Sequence, residues 1–230
     1  MRPEDSPAVS DLQTTPQATP NPANPNGLLS GEAPDPIDAD APPSTDPLRV
    51  VAIGASAGGL AALERFFGSL PPNPGAAFVV IQHLSPDYPS HMQELLARHT
   101  DMPVQHAQQG EALQANRCYL ISPGKLLTQT DSHFVVEARG DVALHQPIDH
   151  FFRSLSVFGS RAAAVILTGT GSDGSRGVQA IVKSGGAVFI QDPEKSEFPG
   201  MPSSALEAVR ADLIGDPSAL ALGVYWWARH

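Results

Sequence analysis

One serine stands where a nucleophile could be exposed. Ser56 lies in the G-x-S-x-G sequence at 54–58, directly after the apolar run Arg49 to Ile53. Such a turn between a strand and a helix presents the serine hydroxyl, and nearby helix amides can stabilise negative charge on a carbonyl oxygen. Ser56 is therefore a candidate nucleophile, although a glycine-rich turn whose serine caps a helix gives the same pattern.

A histidine ends the next apolar run. His83 follows Gln82, the last residue of the run Phe78 to Gln82. An imidazole at a strand end can take a serine proton near neutral pH and return it to a leaving alkoxide. His83 is therefore a candidate general base, and a histidine that merely finishes a strand is an equally good interpretation of this residue alone.

An aspartate supplies the third group. Asp173 lies in Thr-Gly-Thr-Gly-Ser-Asp-Gly at 168–174, between an apolar run and a helical pattern. Its carboxylate could orient the imidazole of His83 and stabilise the cationic form of the ring. An aspartate in this position is alone more often a helix N-cap. Candidate groups at three strand ends together favour a catalytic site.

The same glycine-rich loop supports a rival hypothesis. Residues 169–174 spell G-x-G-x-x-G, and Asp192 follows at the spacing of a ribose-binding acid, which is typical of an NAD(P)-dependent oxidoreductase. Against this, the charge of Asp173 would face the pyrophosphate. Metal sites built from His145, Asp149 and His150, or from His91 and His99, lack a recognised ligand spacing. We therefore predict no cofactor and no metal.

These candidates need a sheet to bring them together. Predicted strands lie at 49–53, at 78–82, near Val104, near Tyr119, at 163–168 and at 187–191. Predicted helices lie at 58–69, 90–99, 148–158 and 175–184. Alternating strands and helices predict an α/β fold, a doubly wound and mainly parallel sheet with helices on both faces. A small β-hairpin is predicted from Leu126 to Glu137. Ligands of such sheets bind outside the carboxyl ends of the strands.

Composition separates a polar opening segment from the rest. Residues 1–47 are rich in Pro, Asp, Ser and Ala, and hold eight acidic residues against Arg2. We expect a disordered acidic leader at 1–47, one folded domain at 48–217 and a C-terminal tail at 218–230. The net charge of −10 lies mostly in the leader, so the domain has no basic surface typical of nucleic-acid binding.

Other features of the composition concern the compartment. Cys118 is the only cysteine, which excludes an intrachain disulfide, and its apolar setting indicates a core residue. No apolar tract is long enough to span a bilayer as a helix. These features predict a cytoplasmic protein without membrane insertion.

Five short motifs carry a resemblance to a known family. They are IGASAGG at 53–59, IQHLSP at 81–86, ISPG at 121–124, LTGTGSDG at 167–174 and PGMPSSA at 199–205. In this combination and order, the stretch from about Arg49 to Gly215 resembles the catalytic domain of the chemotaxis protein-glutamate methylesterase, CheB. The segments at 95–104 and 147–155 are most similar to versions fused to a CheR-type methyltransferase and sensor modules.

The resemblance implies a function and a role for each residue. Ser56 would be the nucleophile, His83 the base, Asp173 the orienting acid, and the backbone amide of Thr170 an oxyanion donor. The substrate would be methylated glutamates on the cytoplasmic helices of chemoreceptors, with release of methanol, and deamidation of receptor glutamines would be a second activity. Ala57 stands where many relatives carry threonine. A catalytically silent receptor-binding regulatory module remains a further alternative.

Overall fold

A seven-stranded sheet forms the centre of the protein. The structure, a computed structural model, describes residues 47–83, 91–138 and 146–230. The strands of this sheet are β1 Arg49–Ala55, β2 Ala76–Gln82, β3 Val104–His106, β4 Arg117–Leu120, β7 Ala162–Ile166, β8 Ala187–Gln191 and β9 Leu213–Gly215. Their order in the sheet is β3-β4-β2-β1-β7-β8-β9, and every neighbouring pair is parallel.

Helices cover both faces of this sheet, as predicted. The helices are α1 Gly59–Ser69, α2 Met92–Leu96, α3 Pro147–Ser154, α4 Ser175–Lys183, α5 Gly200–Ala208 and α6 Pro217–Arg229. Side chains alternate along β1, so that Val50 lies in the core cluster formed with α3, α4 and α5, and Val51 lies in the cluster formed with α1, α2 and α6. Central strands buried on both faces explain the continuous apolar runs of the sequence.

A separate antiparallel hairpin packs beside α3. Its strands are β5 Lys125–Thr130 and β6 His133–Ala138, joined at Asp131 and Ser132, which both have positive φ. Leu127 and Phe134 of the hairpin belong to the same core cluster as the buried side chains of α3. The predicted fold class is therefore confirmed, including the hairpin.

Several elements differ from their predicted bounds. α2 is shorter than the predicted helix at 90–99, and α3 ends at Ser154, where a 3₁₀ segment Leu155–Arg161 continues the chain. Gly159 in that segment has φ 57° and ψ −130°, which a continuing helix does not allow. The leader prediction for residues 1–46 and residues 84–86 of one motif lie outside the described residues.

The C-terminal segment forms helix α6. The Asp216 side chain accepts a hydrogen bond from the Ala219 amide at 2.9 Å and caps the helix. Buried Leu220 and Val224 pack against the α1 side of the core. Trp227 packs partly against this core, whereas Trp226 is 64% exposed. Among the described residues no helix is long and apolar enough to cross a membrane.

Candidate active site

The order of the strands brings three loops together at one edge of the sheet. β1 lies between β2 and β7, and the chain crosses from one side of β1 to the other, which is where open α/β sheets bind ligands. The Ser56 amide donates to the Thr168 carbonyl at 3.1 Å, and the His83 amide donates to the Ala55 carbonyl at 3.4 Å. The loops after β1, β2 and β7 therefore begin at the same level.

Ser56, His83 and Asp173 form one continuous hydrogen-bonded chain. Ser56 Oγ lies 3.1 Å from His83 Nδ1, and His83 Nε2 lies 2.7 Å from Asp173 Oδ2. A carboxylate can only accept, so Nε2 donates to Asp173, and Nδ1 of a neutral ring is then free to accept the Ser56 proton. The structure thus brings together the three side chains selected from the sequence, in the geometry of a nucleophile, a base and an orienting acid.

The carboxylate of Asp173 is held by three backbone amides. Oδ2 also accepts from the Ile148 amide at 3.0 Å, and Oδ1 accepts from the amides of Asp149 at 2.9 Å and Gly174 at 2.8 Å. The first two amides belong to the first turn of α3, whose donors have no partner within the helix. Asp173 is only 4% exposed, so these bonds fix the direction in which it faces His83.

A glycine allows α3 to reach this position. A Cβ on Gly54 of β1 would lie 2.6 Å from Ile148 Cγ2, so any larger residue would force the Ile148 side chain or α3 to shift. Ile148 is fully buried against β1 and carries one of the amides bound to Asp173. Gly54 therefore contributes to the site by close packing, in addition to its place in the turn before Ser56.

Thr170 lies in the loop that packs against the nucleophile. A Cβ on the preceding Gly169 would lie 2.9 Å from Ser56 Cβ, so this loop lies close to the serine side chain. Within the described parts of the chain, the amides of Thr170 and Ala57 have no hydrogen-bond acceptor. Thr170 is exposed, and its role as an oxyanion donor stays a prediction.

The segment after β8 is attached to the same loop. The Gly169 amide donates to the Phe198 carbonyl at 2.9 Å, and the Phe198 amide donates to Thr168 Oγ1 at 2.8 Å. The Met201 amide returns to the Gly169 carbonyl at 2.9 Å, and the Met201 side chain is fully buried. This segment therefore forms one wall beside Ser56.

The contribution of α3 to the site is not evident from the sequence. By its spacing Asp149 is only a candidate metal ligand beside His145 and His150, and His145 lies outside the described residues. In the structure Asp149 is 2% exposed, and its Oδ1 accepts from the Gly177 amide of α4 at 2.6 Å. The helix itself is predicted at 148–158, and Pro147, a residue favoured in the first turn of a helix, marks its start.

The start of α4 is occupied in a way that disfavours a dinucleotide. The amides of Gly174 and Gly177, which would face a pyrophosphate in the rival hypothesis, donate instead to the carboxylates of Asp173 and Asp149. The Asp192 side chain accepts from the Glu194 amide at 3.0 Å. In the described parts of the chain, no three His, Cys, Asp or Glu side chains are grouped to hold a metal ion.

The fold and the site together define a parallel α/β protein with a Ser–His–Asp arrangement of the serine hydrolase type. Residues 51–223 match the family model described as CheB methylesterase, and the chain belongs to this family. The resemblance inferred from the motifs is thereby confirmed. The finer expectation of a CheR-fused type stays a prediction.

Individual relatives agree with this assignment. The chain is 38% identical over 178 residues to protein-glutamate methylesterase/protein-glutamine glutaminase 2 of Cupriavidus metallidurans, which covers 76% of this chain and 52% of that protein. It is 31% identical over 167 residues to a putative enzyme of the same name from Leptospira interrogans, covering 71% and 86%. The chain spans about half the length of several curated relatives.

A solved structure agrees as well. The crystal structure of the Thermotoga maritima CheB methylesterase catalytic domain superposes with a TM-score of 0.71 at 27% sequence identity. The superposition covers 79% of this chain and 99% of that domain. The described fold is therefore that of a CheB catalytic domain.

Proposed function

We propose that this chain is a protein-glutamate methylesterase that hydrolyses glutamate methyl esters on chemoreceptors and releases methanol. The observation that carries the proposal is the hydrogen-bonded chain from Ser56 through His83 to Asp173 at the carboxyl edge of the sheet. Membership of the CheB methylesterase family supports the same chemistry.

The first half of the reaction forms an acyl-enzyme. Ser56 Oγ attacks the ester carbonyl carbon while its proton passes to Nδ1 of His83, and Asp173 stabilises the resulting imidazolium. The negative charge on the carbonyl oxygen is met by the backbone amide of Thr170. His83 then returns the proton to the methoxide oxygen as the carbon–oxygen bond breaks, and methanol leaves.

The second half restores the enzyme. Water attacks the acyl carbon, His83 takes its proton, and the same ring returns that proton to Ser56 Oγ as the acyl bond breaks. The product is a receptor glutamate. With a glutamine side chain the same steps release ammonia instead of methanol, and we include this deamidation in the proposal.

We place the reaction in the cytoplasm, on the helices of the receptor that carry the methylated glutamates. The wall formed by Phe198 and its neighbours lies beside Ser56 and is suited to contact such a helix. A CheR-type methyltransferase or a sensor module is the further partner that the motifs indicate. Ala57 offers no hydroxyl beside the nucleophile, so any contribution there comes from its backbone amide.

The decisive experiment measures methanol release from a methylated receptor. We expect Ser56→Ala to lower the rate by about 10⁴-fold or more. Ser69→Ala is the matched control, because Ser69 lies at the other end of α1 and bonds Ser218 Oγ at 2.9 Å. Equal methanol release by wild type and Ser56→Ala would exclude Ser56 as the nucleophile.

Two readouts separate the alternatives. A catalytically silent receptor-binding module would bind the methylated receptor, yet Ser56 would not react with a serine-directed phosphonate. An oxidoreductase would bind NAD tightly and lose that binding when Gly169 or Gly171 is replaced by a larger residue. Phosphonate labelling of Ser56 without NAD binding is the outcome that we expect.

A further inference from the structure

The N-termini of α3 and α4 lie side by side, and the first-turn amides of each helix donate to a carboxylate associated with the other. Neither helix has a side-chain cap at its own N-cap position, which is Gln146 for α3 and Gly174 for α4. Asp173, just before α4, accepts the first-turn amides of α3, and Asp149 of α3 accepts the Gly177 amide in the first turn of α4. Each helix is thus capped by an acid that belongs to the other.

Asp149 lies in an environment that is costly for a carboxyl group. It is 2% exposed, and its Oδ2 has no hydrogen-bond partner among the described residues. The titratable or charged groups that act on it are Asp173 in the loop before α4 and Arg153 on its own helix, and α4 offers it the amides of Arg176 and Gly177. Burial raises the pKa of the Asp149 carboxyl, the Gly177 amide opposes that rise, and the charge of Asp173 adds to it.

One residue therefore makes two contacts that converge on the same site. The Asp149 backbone donates to Oδ1 of Asp173, and the Asp149 side chain fastens the turn that follows Asp173. If the side-chain bond is lost, the first turn of α4 is free to shift relative to α3. Asp173 would then change its position against His83, because its carboxylate is bonded to amides of α3 and to the amide of Gly174 at the start of α4.

We propose that Asp149 is a positioning residue that keeps the Asp173 carboxylate directed at His83 by joining the starts of α3 and α4. This inference rests on the proposed function. Asp149 acts through Asp173 and does not touch the substrate. The feature of Asp149 that matters is the acceptor oxygen facing Gly177, and the negative charge of the carboxylate is not required.

Two substitutions at Asp149 separate these features. Asp149→Asn keeps an acceptor oxygen of the same reach, whereas Asp149→Ala removes it. We expect Asp149→Ala to lower kcat for methanol release by about 10- to 100-fold at unchanged KM, because misplacing a catalytic group by about 1 Å costs this much. Asp149→Asn should stay within about 3-fold of wild type, so that the conservative change rescues the rate.

A matched control removes the same kind of bond elsewhere. Asp216→Ala deletes the carboxylate that accepts the hydrogen bond from the Ala219 amide at the start of α6, and should leave kcat unchanged.

Each variant is also labelled with a serine-directed phosphonate, which reports the reactivity of Ser56 without receptor binding. Thermal unfolding of each variant gives the temperature range in which the rates refer to folded protein. The proton between His83 Nε2 and Asp173 Oδ2 is followed by NMR, as a downfield signal that should persist in Asp149→Asn and weaken in Asp149→Ala.

The outcomes distinguish this proposal from the proposed function. Ser56→Ala tests the function, and its failure to reduce turnover would remove the basis of both. If Ser56→Ala is inactive but Asp149→Ala labels and turns over like wild type, only the positioning role is overturned. A rise in KM at constant kcat, or equal losses in Asp149→Asn and Asp149→Ala, would overturn it as well. If Asp149→Ala does not fold, a wild-type rate and signal in Asp149→Asn support the proposal, and their loss overturns it.

Discussion

Nδ1 of His83 faces Ser56 Oγ at 3.1 Å, while the opposite ring nitrogen faces Asp173. This reverses the use of the two ring nitrogens in the chymotrypsin-type triad, where Nε2 faces the serine. The chemistry is preserved, because a neutral ring that donates from one nitrogen accepts at the other. The direction of the ring therefore depends on the position of Asp173, and hence on the α3 amides that hold this carboxylate.

Replacement of Asp173 by asparagine should damage both activity and stability. The asparagine side chain has only one acceptor oxygen. It therefore cannot accept the hydrogen bonds from the backbone amides of Ile148, Asp149 and Gly174 and also keep the bond from His83. We expect kcat to fall by about 10⁴-fold, as in triads that hold the wrong tautomer. We also expect a loss of about 1–3 kcal/mol in the free energy of unfolding, measured with urea.

Asp212→Asn is the control for that change. The Asp212 carboxylate accepts the Val188 amide at 2.7 Å, away from the site. The amide oxygen of asparagine can still accept this one bond, so this variant should lose little stability and keep its kcat. Full activity in Asp173→Asn would contradict the assignment of Asp173.

Gly54→Ala should disturb the site through packing. The new Cβ would lie 2.6 Å from Ile148 Cγ2, so α3 must move or strain. We expect a loss of about 1–3 kcal/mol in the free energy of unfolding, together with reduced turnover. The double variant Gly54→Ala with Ile148→Ala should show a favourable coupling energy, because the second change removes the colliding methyl group.

Gly68→Ala provides the comparison for Gly54→Ala. At Gly68 in α1 a new Cβ would meet only His99 Nδ1 at 3.7 Å, an ordinary contact. This change should be neutral or slightly stabilising. Similar losses for both variants would mean that close packing against Ile148 is not the cause.

The stability of the protein should depend on pH through Asp149. Burial raises its pKa above the usual value, so the folded state binds more protons than the unfolded state in the acidic range. The contribution of such a group to stability is present below the unfolded pKa and falls as the pH rises toward the folded pKa. Asp149→Asn cannot ionise, and should gain stability relative to wild type as the pH rises above the ordinary pKa of an aspartate, over the range in which the folded wild type loses this proton. A constant difference in urea unfolding across this range would refute the prediction.

The predicted domain boundaries can be tested by deletion. Removal of residues 218–230 takes away Leu220 and Val224, which are fully buried against the core. We expect a loss of more than about 3 kcal/mol, because each buried aliphatic side chain contributes about 2 kcal/mol or more. A stable protein lacking 218–230 would instead support the predicted boundary at 217.

The N-terminal boundary is tested by a separate deletion. A chain that begins at Pro47 should keep the unfolding temperature and turnover of the full chain.

Much of the site could be read from local sequence. Ser56, His83 and Asp173 each follow an apolar run, and parallel strands place their carboxyl ends at one edge, so these residues could be selected before any contact was known. The buried strands at 49–53 and 187–191 were also recognisable, because runs buried on both faces are continuously apolar. Strand β9 was not predicted, because three residues carry too little periodicity. The helical structure of α6 was not predicted either, because the sequence of an apolar helix resembles that of an unstructured apolar tract.

By itself the sequence determined which side chains stand at the strand ends and which family the motifs indicate. Only the tertiary structure decided which backbone amides the carboxylates of Asp149 and Asp173 accept hydrogen bonds from. Asp149 and Asp173 are 24 residues apart along the chain, and they meet where Ile148 of α3 packs closely against Gly54 of β1. Periodicity and turn motifs report interactions between near neighbours in the chain, whereas the pairing of two helix starts is set by packing across the sheet.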